Sequence, residues 1–339
     1  MKRLKPILFL LLAAGSLAAC TASFTYNRLD WLIPWYVDGY VDLDREQRRL
    51  LRQQLAPPLE WHREEELARY VALLDRIEAD LADTDGNGIA DASMVRSWVD
   101  EVLEAAMRVE RSMMSVALEF GGSISDEQMR EFVGSLRERQ REYEDEFLER
   151  SDAEYADDTY ENLADFLERF MGRLSPGQQA ALRQASDRLQ RFDAPWLEER
   201  RKWLETLEPM LQRQPGWQEA VMRAHAGRLD NRTPEYRAVL EHNLGLITGA
   251  VAEVIAQMTE RQHRKTREEI DDLRGKLHKL MDRPARQAGL EGPYSSLAVK
   301  PGIARRSPGQ TDAPHEFLHL GPVADGVENR RVAKEGHAA

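Results

Sequence analysis

The sequence predicts an all-α protein, an elongated bundle of about eight to ten mostly antiparallel helices followed by a disordered C-terminal tail. Apolar residues recur every three or four positions between Asp44 and Met281, which is the period of an α-helix. Runs that alternate apolar and polar residues, as a β-strand does, are nearly absent there. Helix-capping sequences recur through the same region. The 42% of hydrophobic residues suffice to bury a sizeable core.

The chain opens with the pattern of a bacterial secretory signal. A basic start, residues 1–5, precedes an apolar run, residues 6–14. The motif Leu17-Ala18-Ala19-Cys20 then resembles a lipobox, which implies removal of residues 1–19 and a covalent diacylglycerol lipid on Cys20. Thr21, in place of an aspartate, favours the outer membrane, with the protein body in the periplasm. The alternatives are a buried cysteine or an uncleaved anchor, but the apolar run is shorter than the roughly 20 residues of a spanning helix.

Residues 20–43 form an aromatic segment beside the predicted lipid. Trp31, Trp35, Tyr36 and Tyr40 cluster there. Such rings suit a membrane–water interface, and they equally suit packing of this segment onto the helical body. Pro34 with the apolar Leu29, Leu32 and Ile33 also fits packing, and packing is what we expect.

Four helix starts share one formula, an oxygen-bearing cap residue followed three positions later by Gln. This is a capping box: the first side chain accepts from the Gln backbone N–H, and the Gln side chain accepts from the cap residue's N–H. The intervals between caps are 81, 50 and 84 residues, and the near-equal first and last intervals suggest a duplicated unit, although no other residues match along them. The cap and Gln pairs are Asp44 and Gln47, Ser125 and Gln128, Ser175 and Gln178, and Thr259 and Gln262.

Proline and glycine place the remaining helix boundaries. Pro57 and Pro58 are expected to end a first short helix. The further expected elements are a helix over 59–82, a loop over 83–88, a long helix ending at Gly121-Gly122, a helix from Asp152 to Met171, one between Pro195 and Pro215, and one opening at Thr233-Pro234.

The strongest metal-binding pattern lies between two of these helices. Asp83, Asp85 and Asn87 place oxygen ligands at alternate positions, and Asp91 supplies a further carboxylate, as in short calcium loops. Met94 occupies the position where an EF-hand has its bidentate Glu. The segment is therefore either a calcium site or an ordinary interhelical loop rich in Gly and Asn.

Other chemistry-bearing residues carry little signal. His62 shares a helical face with Glu65 and Glu66, which is metal-ligand spacing, but a lone histidine is more typical of a helix interface. Nucleophile-elbow, phosphate-loop and zinc-protease motifs are absent from the sequence, so we expect no enzyme. Apart from calcium and the lipid on Cys20, no cofactor is implied.

Charge and composition divide the chain. The 47 Lys and Arg against 59 Asp and Glu give −12, and loss of Lys2, Arg3 and Lys5 leaves −15, which disfavours nucleic acid or anionic lipid as a partner of the body. Residues 283–339 contain 6 Pro and 7 Gly without helical periodicity. The predicted organisation is a signal over 1–19, a lipidated aromatic segment over 20–43, a helical body over 44–282 and a disordered tail over 283–339.

Three short stretches carry a resemblance to a known family. They are Tyr26-Asn27-Arg28-Leu29-Asp30-Trp31, Val41-Asp42-Leu43-Asp44-Arg45-Glu46-Gln47 and Trp61-His62-Arg63. With the later Leu-Ser-Pro element, they resemble an uncharacterised family of Gram-negative lipoproteins, which implies a helical periplasmic body to about residue 282 and no catalytic residue. The repeated cap formula is also similar to the signature of small periplasmic chaperones that respond to envelope stress.

These observations favour one functional class. We expect a lipid-anchored periplasmic protein that serves as a scaffold, assembly factor or interaction module, with the membrane and an unidentified envelope protein as partners. The alternatives are a chaperone-like binder and an enzyme whose site forms only in the fold.

Overall fold

The computed structural model describes residues 25–86 and 90–282, with the side chains of 83–86 excepted. Within these ranges it is all-α and contains no strand, which confirms the predicted fold class. The α-helices are α1 Leu29–Val37, α2 Arg45–Trp61, α3 Leu67–Gly86, α4 Ala92–Gly121, α5 Asp126–Leu148, α6 Asp152–Met171, α7 Pro176–Ser186, α8 Asp193–Met210, α9 Trp217–Gly227, α10 Pro234–Ala256 and α11 Glu260–Met281. The predicted signal and tail lie outside the described residues.

Helices α2 and α3 form one continuous helix, so the prediction that Pro57 and Pro58 end a helix is wrong. Each proline lacks an N–H and crowds the carbonyl four residues earlier, which disfavours an α-helix. Here the helix continues because Leu51, Leu55 and Pro58 are buried on one face, and their packing offsets the lost hydrogen bonds.

A π-helical turn over His62–Glu66 follows the prolines by about one turn. The amide of Leu67 donates to the carbonyl of His62, five residues earlier, and α3 continues from there. A turn of this type holds one extra residue and changes the direction of the side chains around it. Glu66, at its end, is fully buried.

The helix pairings fall into two matching sets around α4 and α10, which pack against each other. On one side α2 packs on α4 and α1 packs on α2; on the other, α7 packs on α10 and α6 packs on α7. The first set consists of α1 to α5 and the second of α6 to α11. The last helix of each set packs on a helix of the other set: α5 packs on α8, and α11 packs on α3. The repeated arrangement parallels the near-equal cap intervals of the sequence.

Helix α10 lies at the centre of the bundle. By length and apolar composition alone, it is the one helix among the described residues that could span a membrane. Its residues nevertheless enter three separate core clusters, through Val239, Val254 and Ile255. This burial is typical of the central helix of a bundle, and it explains the apolar composition.

All four predicted capping boxes are present, and they begin α2, α5, α7 and α11. A fifth capping box begins α6, where Ser151 is the cap, one residue before the predicted Asp152. Thr233 caps α10 with Pro234 in its first turn, as expected. Helix α3 extends to Gly86, beyond the predicted end near residue 82.

Candidate functional site

The four predicted capping boxes meet in two pairs, which we name joints. The first joint consists of Asp44, Gln47, Ser125 and Gln128, and the second of Ser175, Gln178, Thr259 and Gln262. In each box the Gln Oε1 accepts from the cap residue's N–H, at 2.9 Å in all four. This bond fixes the amide orientation, so each NH₂ group points away from its own helix and toward the partner Gln.

In the second joint the two amides form a reciprocal, fully bonded pair. Gln262 Nε2 donates to Gln178 Oε1 at 2.9 Å, and Gln178 Nε2 donates back at 3.4 Å. Each NH₂ also donates to a backbone carbonyl, that of Val254 at 3.0 Å from Gln178 and that of Arg173 at 3.2 Å from Gln262. Gln178 is 0% exposed and Gln262 is 6% exposed, so the polar atoms of this joint lie in the protein interior.

The first joint repeats the same pattern nearer to solvent. Gln47 Nε2 donates to Gln128 Oε1 at 2.9 Å, and Gln128 Nε2 donates back at 2.8 Å. Gln128 also donates to the carbonyl of Asp42, two residues before the cap of α2, as Gln262 does to Arg173 before α7. Both glutamines are only half-buried.

His62 lies at the centre of what we name the N-terminal junction, formed by Tyr26, His62, Glu66, Tyr70 and Arg108. The Tyr26 hydroxyl lies 2.8 Å from His62 Nδ1, and the Tyr70 hydroxyl lies 3.3 Å from Nε2. Burial lowers the pKa of His62 to about 4, and this effect outweighs that of the Glu66 carboxylate, which raises the pKa. The neutral ring therefore donates through one nitrogen and accepts at the other. Burial likewise raises the pKa of Tyr26 to about 12.

Glu66 supplies the charge of this junction. Arg108 of α4 donates to it through Nε at 3.0 Å and Nη2 at 2.6 Å, a bidentate pair. These hydrogen bonds raise the pKa of Arg108. The metal hypothesis for His62, Glu65 and Glu66 thus has a competing structural account, in which tyrosines bind the imidazole and an arginine binds the buried carboxylate.

Arg63 connects the start of the described chain with its end. Its Nη2 donates to Asn27 Oδ1 at 3.0 Å, and its Nη1 donates to the carbonyl of Leu280 at 2.6 Å. The guanidinium also lies 4.9 Å from the centre of the Tyr26 ring. The segment that follows Cys20 is therefore attached to the body from Tyr26 onward.

Two further carboxylates are buried and bound by arginines. Glu110 is held by both terminal nitrogens of Arg228, and its Oε1 lies 3.1 Å from His225 Nε2. Burial alone would raise the pKa of Glu110, but the contacts with His225 and Arg228 lower it by more. Asp193 accepts from Arg150 at 2.5 Å. Glu110 and His225 form the histidine–carboxylate combination that an enzyme could use, and here the arginine holds the carboxylate as an anion.

The aromatic segment divides between interior and surface. Tyr36 and Tyr40 are partly buried, their hydroxyls lie 2.8 Å apart, and Tyr40 packs against Phe132. Trp31 and Trp35 are instead 51% and 58% exposed. The packing prediction holds for the tyrosines and is wrong for the tryptophans, because α1 docks through its opposite face.

Of the predicted calcium ligands, only the side chain of Asp91 is described. It is the N-cap of α4, and its Oδ1 accepts from the Met94 N–H at 2.8 Å and from the Ser93 hydroxyl at 2.6 Å. The hydrogen bond from Ser93, with that from Met94, lowers the pKa of Asp91. Capping therefore accounts for this carboxylate without a metal.

The other predicted site residues lie beyond what is described. Cys20 and Asn87 fall outside the ranges, and Asp83 and Asp85 are placed only as backbone at the end of α3. Within the described side chains, no group of three or more His, Cys, Asp or Glu could hold a metal ion. The lipid and calcium hypotheses stay predictions.

The pairing of the caps, the N-terminal junction and the buried ion pairs were not predicted from sequence. A signal for the pairing existed, because the joints connect positions 81 and 84 residues apart, the intervals that suggested duplication. The burial of Glu66 had no signal, since it depends on the π-helical turn.

The fold and its buried polar groups define an all-helical module whose joints and ion pairs connect helices distant in sequence. The chain belongs to the family of unknown function DUF6279, whose model matches residues 39–237. That match begins after Trp35 and ends within α10, so it includes the whole first joint and half of the second. No curated protein and no solved structure shows a significant match.

Proposed function

We propose that this protein is a lipoprotein, anchored through Cys20 in the outer membrane, whose helical body serves as an interaction module in the periplasm. The lipobox Leu17-Ala18-Ala19-Cys20, after its basic and apolar segments, carries the proposal. Two or three acyl chains would anchor the protein stably, since each buried methylene contributes about 0.8 kcal/mol.

The attachment of Tyr26 and Asn27 to the body supports an anchor close to the helices. Tyr26 contacts His62 and Asn27 contacts Arg63, so only a few residues separate Cys20 from the bundle. A lipid at Cys20 would hold the body beside the membrane surface and restrict its partners to those in the envelope.

A binding role accounts better than catalysis for the polar groups in the interior. The buried carboxylates Glu66, Glu110 and Asp193 are each bound by an arginine from another part of the chain. Such pairs are costly to bury and specify one packing of the helices. A body of fixed shape with a strongly acidic composition is suited to present a surface to an envelope protein.

Mass spectrometry of the N-terminal peptide and membrane fractionation test the anchor. We expect loss of residues 1–19 and a mass increase for acyl chains on Cys20, with the protein in the outer membrane. Thr21→Asp is the matched variant: it keeps Cys20, so it should keep the lipid but move to the inner membrane. An unmodified Cys20, or a precursor that retains residues 1–19, would refute the proposal.

Site-specific photo-crosslinking tests the interaction role. Leu148 and Phe166 are exposed apolar side chains at 47% and 41%, which makes them suitable positions for a photoreactive residue. We expect a discrete crosslinked species in intact cells, lost when the lipid is absent, and none from the exposed polar position Glu127. Equal, diffuse crosslinking from all three positions would argue against a specific partner.

The chaperone-like alternative rests on the repeated cap formula. In this protein the glutamines of that formula bond to one another within the two joints, so a structural role accounts for them. The proposal therefore does not require binding of unfolded clients.

A further inference from the structure

Trp31 and Trp35 form an exposed pair on α1, which we name the tryptophan face. They are 51% and 58% exposed, and with Leu148 and Phe166 they make up the exposed large hydrophobic residues of the described chain. They are four positions apart, so both rings lie on one side of the helix, one turn apart. An indole has an apolar body and a single N–H donor, which suits the boundary between lipid and water.

The opposite side of α1 is fixed to the bundle. Ile33 and Val37 pack against the core cluster that contains Leu51, Leu55 and Phe120. Each follows a tryptophan by two positions, which turns the helix by about 200°. The docking of α1 therefore directs the tryptophan face away from the body.

The length of chain before α1 brings this face close to the proposed lipid. Thr25, the first described residue, is five positions after Cys20, which is a reach of at most about 18 Å. From there the contacts of Tyr26 and Asn27 fix the start of α1 relative to the body. With the acyl chains in a membrane, the tryptophan face lies within reach of the same membrane surface.

Local charge does not oppose such contact. Residues 25–56, which include α1 and most of α2, hold five Lys and Arg and five Asp and Glu. The whole chain, by contrast, carries −12. An acidic body is repelled by anionic lipid, so a neutral region is the part best suited to lie against a bilayer.

We propose that the tryptophan face inserts into the interface of the phospholipid bilayer that holds the Cys20 lipid, giving the body a second membrane contact and a fixed orientation. This inference rests on the proposed lipid anchor. It assigns to α1 an orienting role that the acyl chains alone cannot supply, because a single attachment point leaves the body free to rotate.

The test uses the purified lipidated protein inserted into vesicles of phosphatidylethanolamine and phosphatidylglycerol, with and without bromine on the acyl chains near the glycerol. Bromine quenches only tryptophans that enter the bilayer. Two of the seven tryptophans belong to the face, so we expect brominated vesicles to remove up to about two sevenths of the emission. Trp31→Ser/Trp35→Ser should abolish this quenching. Trp217→Phe is the control, because it removes a tryptophan that packs near α4 and lies outside the tryptophan face. This variant should keep the quenching by bromine.

Flotation of the vesicles separates the two proposals. Protein that floats and shows quenching dependent on Trp31 and Trp35 supports the inference. Protein that floats without quenching, or with quenching that survives Trp31→Ser/Trp35→Ser, overturns the inference and leaves the lipid anchor standing. Protein that does not float and lacks the acyl mass overturns the anchor, and the inference with it.

Discussion

The two joints make the same hydrogen bonds in different surroundings. In both, a capping box orients a glutamine whose amide then pairs reciprocally with its counterpart. Gln178 and Gln262 are buried, whereas Gln47 and Gln128 are half-buried. A hydrogen bond that is lost in the interior leaves its partner unsatisfied, at about 1–3 kcal/mol, while water replaces a bond lost near the surface. Burial, rather than bond pattern, should therefore set what each joint contributes to stability.

Removal of one buried glutamine should have the largest effect. Gln178→Ala leaves the Ser175 N–H without its side-chain partner and removes one hydrogen bond each from the Val254 carbonyl and the buried Gln262 amide. We expect the free energy of unfolding to fall by about 3–4 kcal/mol, against about 1 kcal/mol for the matched Gln47→Ala. Urea unfolding followed by helical circular dichroism measures both. Equal losses would show that burial does not distinguish the joints.

Acid should weaken the helix of the first joint selectively, because α2 continues into the turn that contains His62. The pKa of His62 is about 4 in the folded protein and about 6.5 when unfolded, so between these values only the unfolded chain binds the proton. Stability should therefore fall as pH drops from about 6.5 to 4, by about 2–3 kcal/mol in total.

Hydrogen exchange at several pH values locates this effect. Amides of α2 and α3 should lose protection on acidification before those of α7, and His62→Gln should flatten the pH dependence in this window. The idea fails if α7 responds equally, or if the His62→Gln profile is unchanged.

A double-mutant cycle in each joint isolates the amide pair itself. For Gln178→Ala and Gln262→Ala we expect a coupling of about 1–2 kcal/mol, because either single change already disrupts the buried pair. For Gln47→Ala and Gln128→Ala we expect about 0.5 kcal/mol or less. Additive losses in the second joint would mean that its amides stabilise their own helices only, without coupling them.

The smallest effect concerns the one carboxylate among the four caps of the joints. Asp44 begins α2, whereas the other three caps are hydroxyls. Asp and Ser are similar N-caps, so Asp44→Ser should change stability by less than about 0.5 kcal/mol, and Asp44→Ala should cost about 1 kcal/mol. Thermal unfolding compares them, with Ser125→Ala as the control on the facing helix. If Asp44→Ser is as damaging as Asp44→Ala, the carboxylate has a role besides capping.

The sequence predicted the helices and their four caps well because capping depends on residues three positions apart. It failed at Pro57 and Pro58, since burial of that helix outweighs the local cost of proline, and burial is a tertiary property. The exposure of Trp31 was likewise missed. A cluster of aromatic residues does not show which side of a helix docks, and that choice depends on core residues distant in the chain.

The candidate sites were less predictable for the same reason. Asp91 was predicted as a calcium ligand, and in the structure its carboxylate accepts from the Met94 N–H and caps α4. Glu66 and Arg108 lie 42 residues apart, and nothing local indicates their pairing. The near-equal intervals between the caps were a signal for the joints, because the paired glutamines are separated by those same intervals. A matching interval alone, however, does not show that two caps are in contact.

The joints also bear on how quickly the protein unfolds. Each connects positions more than 80 residues apart, so we expect its bonds to form only after the intervening helices have packed, when the entropy of closing so long a chain has already been lost. Interactions made late in folding are absent from the transition state, and they lower the unfolding rate while leaving the folding rate nearly unchanged. We therefore expect the glutamine pairs to extend the lifetime of the folded state.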